Sequence, residues 1–591
     1  MAEKSFREVD VLIVGAGLAG LSLARQLLLA DPGKRILMVD RQAEIPPARQ
    51  KVGEATVQVS GYYFSRVLDL EEHLLREHYL KYNLRFHWKT GRGAGAYEDY
   101  SQSYIRTLSN IATYQLDRNK LEAEILRLNR ESPGFELIHP TMGLSVELSE
   151  DGPHAFRCKT GGGREIAGRA TWVVDASGRN RFLARREKLE RPSPIDHGSS
   201  FLWVDGLVDP ERLTGLDRKA VRVRRERAAL GHLPTFLATN HFCGEGFWFW
   251  VIPLHGRTSL GLVYDAAKIS SKDVGTAEKL VEWICREFPL FASDLPHRTV
   301  VHHSGFTSFA LDGGQTISAD RWALVGEACR FSDPLYSPGG DLIAIYNTLI
   351  ADAILTADPK ELAAKVRLYE PLARAVFEAY VPSYAVSYAT LGDQECFSLR
   401  YAWELTVYFA FYVFPFINDL LTDRAFLPGF LRRFGRLGPI NQGIHRLLAA
   451  YYEWKKEHVA LAAPEPVFFD FTEIGALRAA EKTFYKIGLG AEESRRVLED
   501  QLANLEELAR WTYAHVSAAV LDDPRATANA AYVRGIDVDD LQFDPEAMAA
   551  CLEAACRETS ETYAWCFDPP CMARFRTERL APVEEPVQAV G

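Results

Sequence analysis

Val9-Asp-Val-Leu-Ile-Val14-Gly15-Ala-Gly17-Leu-Ala-Gly20 decides the fold. Residues 9–14 form a short β-branched apolar run, the three glycines make a G-x-G-x-x-G turn, and Leu21 to Leu29 carries helical periodicity. A second apolar run, Arg35 to Val39, ends in Asp40, 20 positions beyond Gly20, where a ribose-binding acid belongs. Together these segments complete a βαβ unit for a dinucleotide. Gly15 permits the tight turn, Gly17 lets the backbone approach a pyrophosphate, and Gly20 lets helix pack on strand. The helix N-terminus offers free N–H groups to the anion, and Asp40, with Arg41 beside it, meets the adenosine end.

Working outward, the 591 residues are 47% apolar and 25% charged, which fits several globular units and excludes a disordered, fibrous or disulfide-stapled chain. The net charge of 68 − 79 = −11 argues against a nucleic-acid partner. The nine cysteines include no C-x-x-C pair, and the late group Cys551, Cys556, Cys566 and Cys571 lacks metal-site spacing, so no metal is expected and the thiols are read as reduced and buried in helices. No export signal is visible at the start, which predicts a cytoplasmic protein. The aromatic run Leu405 to Ile417 is shorter than a membrane span and contains Pro415, so a buried or interfacial helix is expected and no integral membrane segment.

Strand-like segments alternate with turns to about residue 310, and Gly161 to Gly163 reads as a hairpin turn because no helix follows it. From about 340 the periodicity becomes helical, as in Asp341 to Ala357, Lys360 to Tyr380 and Glu492 to Val516.

Two more apolar strands end in acid and small residues: Trp172-Val-Val-Asp175-Ala-Ser-Gly178-Arg179 and Arg321-Trp-Ala-Leu-Val-Gly326-Glu327-Ala328. With the first glycine turn they resemble FAD-dependent monooxygenases. That resemblance implies FAD as cofactor, with Asp175, Gly178, Gly326 and Glu327 near it, although the family usually has Gly-Asp-Ala at the third segment and the longer acid here displaces the contact with the ribityl chain. Tyr114-Gln-Leu-Asp117-Arg118-Asn-Lys-Leu121 resembles the segment whose arginine approaches the flavin, which marks Arg118; the plain alternative is a solvated Asp-Arg pair at a helix start. Only one full dinucleotide fingerprint is present, so reduced flavin is expected from a separate reductase.

Trp248-Phe-Trp250-Val-Ile252-Pro253 narrows the resemblance to flavin-dependent halogenases, whose W-x-W-x-I-P motif it matches at every specified position. Gly53-Glu54-Ala55-Thr56 is similar to their G-E-[SA]-T segment, and Lys81-Tyr-Asn-Leu-Arg-Phe86-His-Trp88 to the segment of their catalytic lysine. The resemblance implies an α/β fold: an FAD-binding Rossmann-like domain of aromatic hydroxylase type over residues 1–370, an interleaved β-sheet substrate region at about 81–115 and 190–310, and a mainly helical region over 371–591. It implies Lys81 and Glu54 as catalytic residues, with Trp248, Trp250 and Tyr336 shielding flavin from substrate. In that family reduced FAD and oxygen oxidise chloride or bromide to hypohalous acid, which travels to the lysine.

Ser332-Asp-Pro334-Leu-Tyr336-Ser337-Pro338-Gly339-Gly340-Asp341 is similar to the family's flavin and halide loop, which places Pro334 at the flavin and Ser337, Gly339 and Gly340 at the halide. Pro338 replaces a hydroxyl residue and has no N–H, so one halide donor is missing, while Gly339 and Gly340 offer a substitute pair. Tyr336 stands where tryptophan-specific members carry a glutamate, which argues against free tryptophan. The leading reading is halogenation, in specialised metabolism, of an aromatic or electron-rich substrate, free or carried on a protein, with the aromatic helix around Trp403 to Phe416 lining the substrate cavity or packing in the core. The alternatives are a monooxygenase or dehydrogenase of the same fold that uses no halide, favoured by Pro338, and, more remotely, a non-catalytic flavin-binding partner protein.

Overall fold

The computed structural model describes residues 5–150, 152–228 and 234–575. Its first sheet has seven strands among the described residues, in the order Phe135–Ile138, Ile36–Val39, Ser5–Val14, Glu165–Asp175, His154–Thr160, Thr141–Glu147, with Trp322–Leu324 also paired to Glu165–Asp175. Ser5–Val14 runs parallel to both of its neighbours, and Ile36–Val39 is buried at every residue, as a parallel sheet covered on both faces requires. Helix α1 (Leu18–Ala30) packs against helices α2 (Arg118–Arg130) and α3 (Pro338–Ile354). The Gly161 to Gly163 turn joins two antiparallel strands, as expected of a hairpin.

The second sheet has eight strands in the order Val300–Phe306, His197–Asp205, Arg257–Asp265, Phe247–Leu254, Thr239–Gly244, Leu84–Lys89, Tyr100–Ser103, Phe468–Phe469. Pleating splits the strand Phe247–Leu254 into two faces. Trp248, Trp250 and Ile252 belong to the main core, whereas Phe247, Phe249 and Val251 enter a separate aromatic core with Phe242, Phe288 and Phe291. The final strand of this sheet comes from the helical region and pairs in parallel with Gln102 and Ser103. A two-stranded ladder, Tyr79–Lys81 against Thr113–Gln115, ends at Lys81.

Helix α4 spans Pro359–Glu378, so residue 370 lies inside it. Beyond it come α5 (Gln394–Tyr408), a π-helical turn (Phe409–Val413), the short helix Phe414–Ile417, and the long helices α6 (Leu427–His458) and α7 (Ala491–Leu521). Lys455 of α6 is buried between Asp393 (2.9 Å) and Glu395 (2.8 Å), and His515 of α7 lies 2.7 Å from Glu395. This cluster satisfies its own charges and ties three helices together. The aromatic run Leu405 to Ile417 is buried throughout most of its length, and among the described residues no helix is long and apolar enough to cross a membrane.

The late cysteines depart from the expectation of buried helical thiols. Cys551, Cys566 and Cys571 are exposed. The helix Pro545–Glu558 buries Met548, Leu552 and Ala555, a stripe that misses Cys551, and Cys566 and Cys571 lie beyond its end. Among the described residues no cluster of metal-ligating side chains occurs.

Candidate active site

A cavity of about 990 Å³ opens where the first sheet meets the second, at the upper end of the volume that ligand pockets occupy. Gly15 sits at φ +113°, and a Cβ there would come within 2.3 Å of the Ala176 carbonyl oxygen, so only glycine makes this turn. Gly17 starts α1 without a side-chain cap, and a Cβ on it would meet nothing within 4 Å. The helix therefore presents orphan N–H groups to open space. Asp40 accepts from the N–H of Ala16 (2.7 Å) and of Gln42 (2.8 Å), which fixes its carboxylate at the cavity wall beside Arg41. Gly178, at φ +59°, likewise faces open space. An uncapped helix start, unfilled glycine cradles and the lining arginines Arg41, Arg118 and Arg179 fit an extended anionic dinucleotide such as FAD.

The structure puts some of the expected cofactor residues on this wall and others beneath it. Gly326, Glu327, Pro334, Ser337, Gly339 and Gly340 line the cavity. Burial raises the Glu327 carboxyl above its ordinary range, against the pull of Arg179 and Arg118. Arg118 is no solvated surface charge: its guanidinium donates to the Val52 carbonyl (2.8 Å) and to Glu122 (2.7 Å) at the cavity edge. Asp175 is different. Its carboxylate turns away from the cavity to accept from the N–H of Ser177 (2.9 Å) and of Leu183 (2.7 Å), a cap for the next short helix. Gly20 also lies off the wall, with its missing Cβ 2.3 Å from the Gly15 carbonyl oxygen, so it serves close packing.

Glu54 lines the same cavity and is fully enclosed. It accepts from Trp203 Nε1 (2.7 Å), Ser259 Oγ (2.5 Å) and Gln50 Nε2 (3.3 Å). Burial pushes its carboxyl up to about 7, and the hydrogen bonds from Ser259, Trp203 and Gln50 pull the other way. Trp250 Nε1 donates to the same Ser259 Oγ at 3.0 Å, which couples the tryptophan wall to Glu54. Trp248 Nε1 donates to Tyr388 OH at 2.9 Å. The Tyr388 ring stacks on His197, whose Nδ1 lies 2.7 Å from Asp333. None of Trp203, Ser259 and Tyr388 carries a local sequence signal.

Asp333 opens a loop that separates two cavities. Tyr336 and Ser337 are consecutive non-glycine residues at φ +67° and +61°, a strained pair of the kind that clusters at functional sites. They are followed by Pro338 at the first position of α3, where a missing N–H costs no intrahelical hydrogen bond and the fixed φ suits the helix. Ser337, Gly339 and Gly340 face the larger cavity, while Tyr336, Pro338 and Asp341 face a second one of about 320 Å³.

Lys81 lines the second cavity, so the structure does not bring it together with Glu54. Its side chain is buried, and Nζ has no hydrogen-bond partner among the described residues. Burial pushes the amine down to about 7, opposed by the carboxylate of Asp341. Asp341 accepts from the Ser60 N–H (2.8 Å) and from Tyr408 OH (2.8 Å), and burial raises its carboxyl to about 6. α5 and the π-helical turn contribute Tyr401, Glu404, Leu405, Tyr408 and Tyr412 to the same cavity wall. Trp403 points the other way, into the core, and donates to Asn441 at 2.8 Å. Tyr336 thus lies on the lysine side of the loop and the two motif tryptophans on the opposite side.

Residues 8–216 match the model of the FAD binding domain. The chain is 26% identical over 440 residues to the flavin-dependent halogenase chlA of Dictyostelium discoideum, an alignment that covers 68% of this chain and 69% of that one. It is 23% identical over 352 residues to a 1H-pyrrole-2-carbonyl-[peptidyl-carrier protein] chlorinase of Pseudomonas fluorescens, covering 57% and 73% of the two chains. Among solved structures the halogenase PltM superposes with a TM-score of 0.56 at 17% identity, over 86% of this chain and 96% of that one. The chain is an FAD-dependent oxidoreductase with the fold of the flavin-dependent halogenases, and its relatives by sequence are flavin-dependent halogenases.

Proposed function

We propose that this protein halogenates an aromatic or otherwise electron-rich substrate, free or carrier-bound, in the smaller cavity. The observation that carries the reading is Lys81: an enclosed, unpartnered amine in a chamber separated from the flavin cavity by the segment 332–341, a loop and the first turn of α3. When bound and reduced, FAD supplies with oxygen the oxidising equivalent that turns halide into hypohalous acid. Ser337, Gly339 and Gly340 hold the halide at the flavin face of the loop, where the N–H groups of the first turn of α3 have no intrahelical partner. Trp248 and Trp250 keep substrate off the flavin, and their hydrogen bonds to Tyr388 and Ser259 fix the rings. Lys81, stripped of solvent, is poised near neutrality as a nucleophile. Its nitrogen takes halogen from hypohalous acid: the N–halogen bond forms, the O–halogen bond breaks, and the oxygen leaves as water with a proton from the nitrogen. The substrate ring carbon then takes the halogen as the N–halogen bond breaks, the displaced ring proton returns to the amine, and the ring gains halogen, not oxygen.

A separate flavin reductase is the partner this scheme requires. Free thiols at all nine cysteines support a reducing cytoplasm, and the carrier-protein chlorinase among the relatives supports a tethered substrate. Pro338 favours a second reading, in which the same cavity hosts oxygenation or dehydrogenation without halide, because a loop that lacks one donor holds an anion less well. Mass spectrometry of products from FAD, a flavin reductase, NADH, oxygen and a panel of phenols, pyrroles and indoles, with and without bromide, separates the two. A bromine isotope pair that disappears in Lys81→Ala while FAD stays bound supports halogenation. Products that gain oxygen or lose two hydrogens regardless of bromide establish the second reading instead.

A further inference from the structure

Besides Lys81, Glu404 presents a second buried polar atom of the smaller cavity without a hydrogen-bond partner among the described residues, and its carboxylate accepts where the lysine donates. Its Oε1 is held by Arg400 Nε at 3.0 Å, the Tyr336 hydroxyl bears on the same carboxylate, and Oε2 is buried and makes no hydrogen bond to a described residue. Arg400 is itself completely buried and clamped by the Ser387 carbonyl (2.9 Å) and Ser383 Oγ (3.0 Å), so the carboxylate cannot swing out to water. Of the other two acids on the wall, Asp341 has both oxygens committed to Ser60 and Tyr408, and Glu481 is only half-buried. The cavity therefore offers a buried open acceptor and a buried open amine, with Tyr380, Leu405 and Tyr412 also on its wall for a flat apolar body. A buried acceptor left without a donor is costly, and a ligand that supplies the donor recovers that cost.

We propose that Glu404 is the specificity-determining residue that selects, for the halogenation proposed above, aromatic rings bearing an O–H or N–H donor, by accepting that donor at Oε2. This assignment rests on the reading of the smaller cavity as the substrate site. A ring whose heteroatom proton is drawn toward a carboxylate carries more electron density on its conjugated carbons, the property an electrophile needs. Acidic rings, already anionic, are excluded by the same carboxylate.

The test is calorimetric and needs no turnover. Oxidised FAD holoenzyme is titrated with 1-naphthol against 1-methoxynaphthalene, and with indole against 1-methylindole. The wild type binds each donor at least tenfold more tightly than its methylated partner, and the two arms show which donor the site prefers. In Glu404→Gln the amide oxygen is drawn to Arg400 and the NH2 faces the cavity, so the preference falls to within twofold while affinity for the methylated ligands holds. Glu404→Leu, of similar volume and without an acceptor, gives the same loss and serves if the first variant folds poorly. Equal affinities in the wild type, no binding of any of the four, or a preference that survives both substitutions overturns the assignment. Because no halide is present, a donor preference lost in the variants sustains Glu404 even if halogenation itself is never observed.

Discussion

Tyr408 donates its hydroxyl to Asp341 Oδ2 at 2.8 Å, joining the aromatic helix of the C-terminal region to the first turn of the helix that begins at the larger cavity. Asp341 is also the charged neighbour that opposes the fall of the Lys81 amine. In the proposed reaction it would act through Lys81, as a positioning residue that sets how much of the amine is neutral at a given pH.

With the neutral amine as the reactive form, halogenation by the wild type rises with pH to a plateau with a midpoint near 7. Removing the Asp341 charge removes what holds the amine up, so Asp341→Asn moves the midpoint to lower pH by about one unit or more. Tyr408→Phe deprives Asp341 of a bond that favours its charged form and shifts the profile the same way by less. Initial rates across pH 5–9 at saturating bromide check this; a shift to higher pH in Asp341→Asn would remove Asp341 from the role.

The two glycines of the first turn separate folding from binding. Gly20→Ala drives a Cβ into the Gly15 carbonyl oxygen and lowers the stability of the FAD-free chain by about 1–3 kcal/mol. Gly17→Ala meets no atom within 4 Å, so its FAD-free stability stays within about 0.5 kcal/mol of wild type, yet FAD affinity drops about tenfold or more as the methyl occupies the pyrophosphate approach. Denaturant titration of the stripped proteins and fluorescence titration with FAD read the two effects independently.

Glu54 makes stability depend on pH. Its carboxyl is raised from 4.5 to about 7 by burial, so the fold favours the protonated form: that contribution is complete below pH 4.5 and is lost as pH rises through 7. The difference amounts to roughly 3 kcal/mol. Glu54→Gln keeps the shape and cannot ionise, so the decline in unfolding free energy between pH 4.5 and 7.5 shrinks by that order. A variant as pH-sensitive as the wild type would show that Glu54 ionises freely in the native state.

Pro338→Ser restores an N–H at the first position of α3 without disturbing a helical hydrogen bond. A new bond to an anion is worth about 1.5–3 kcal/mol, and the expected consequence is a KM for bromide lower by about tenfold to a hundredfold. An unchanged KM would mean that Gly339 and Gly340 hold the halide unaided.

The parts of the fold that sequence made legible are those encoded locally. The strand, glycine turn, helix and acid of residues 9–40 need only neighbours, and the pleat that sends Trp248 and Trp250 to one face follows from their spacing of two. Lys81 was reached through resemblance alone, since its burial is set by a ladder with residues more than 30 positions away. The surroundings of Glu54 were not legible, because Trp203 and Ser259 arrive from 149 and 205 positions downstream. Asp175 stands in a motif position, yet whether its carboxylate faces the cavity or caps the next helix depends on where Leu183 places its N–H. Glu404 lies in an aromatic stretch read for its rings, and its open oxygen emerges only once Arg400 takes the other one.

The strand Phe468–Phe469 is two residues long, too short for any periodic signal, yet it closes the outer side of the eight-stranded sheet beside Gln102 and Ser103. The Gln102 N–H reaches the Val467 carbonyl at 2.9 Å and the Tyr104 N–H the Phe469 carbonyl at 3.2 Å. A chimera that exchanged the region after residue 370 with a relative's would strip this seal and leave a row of unpaired amides ready to capture another chain. Retargeting such an enzyme by grafting therefore means transplanting the helices together with the segment 100–104 they protect; separated, each half would carry the sticky seam the other was built to hide.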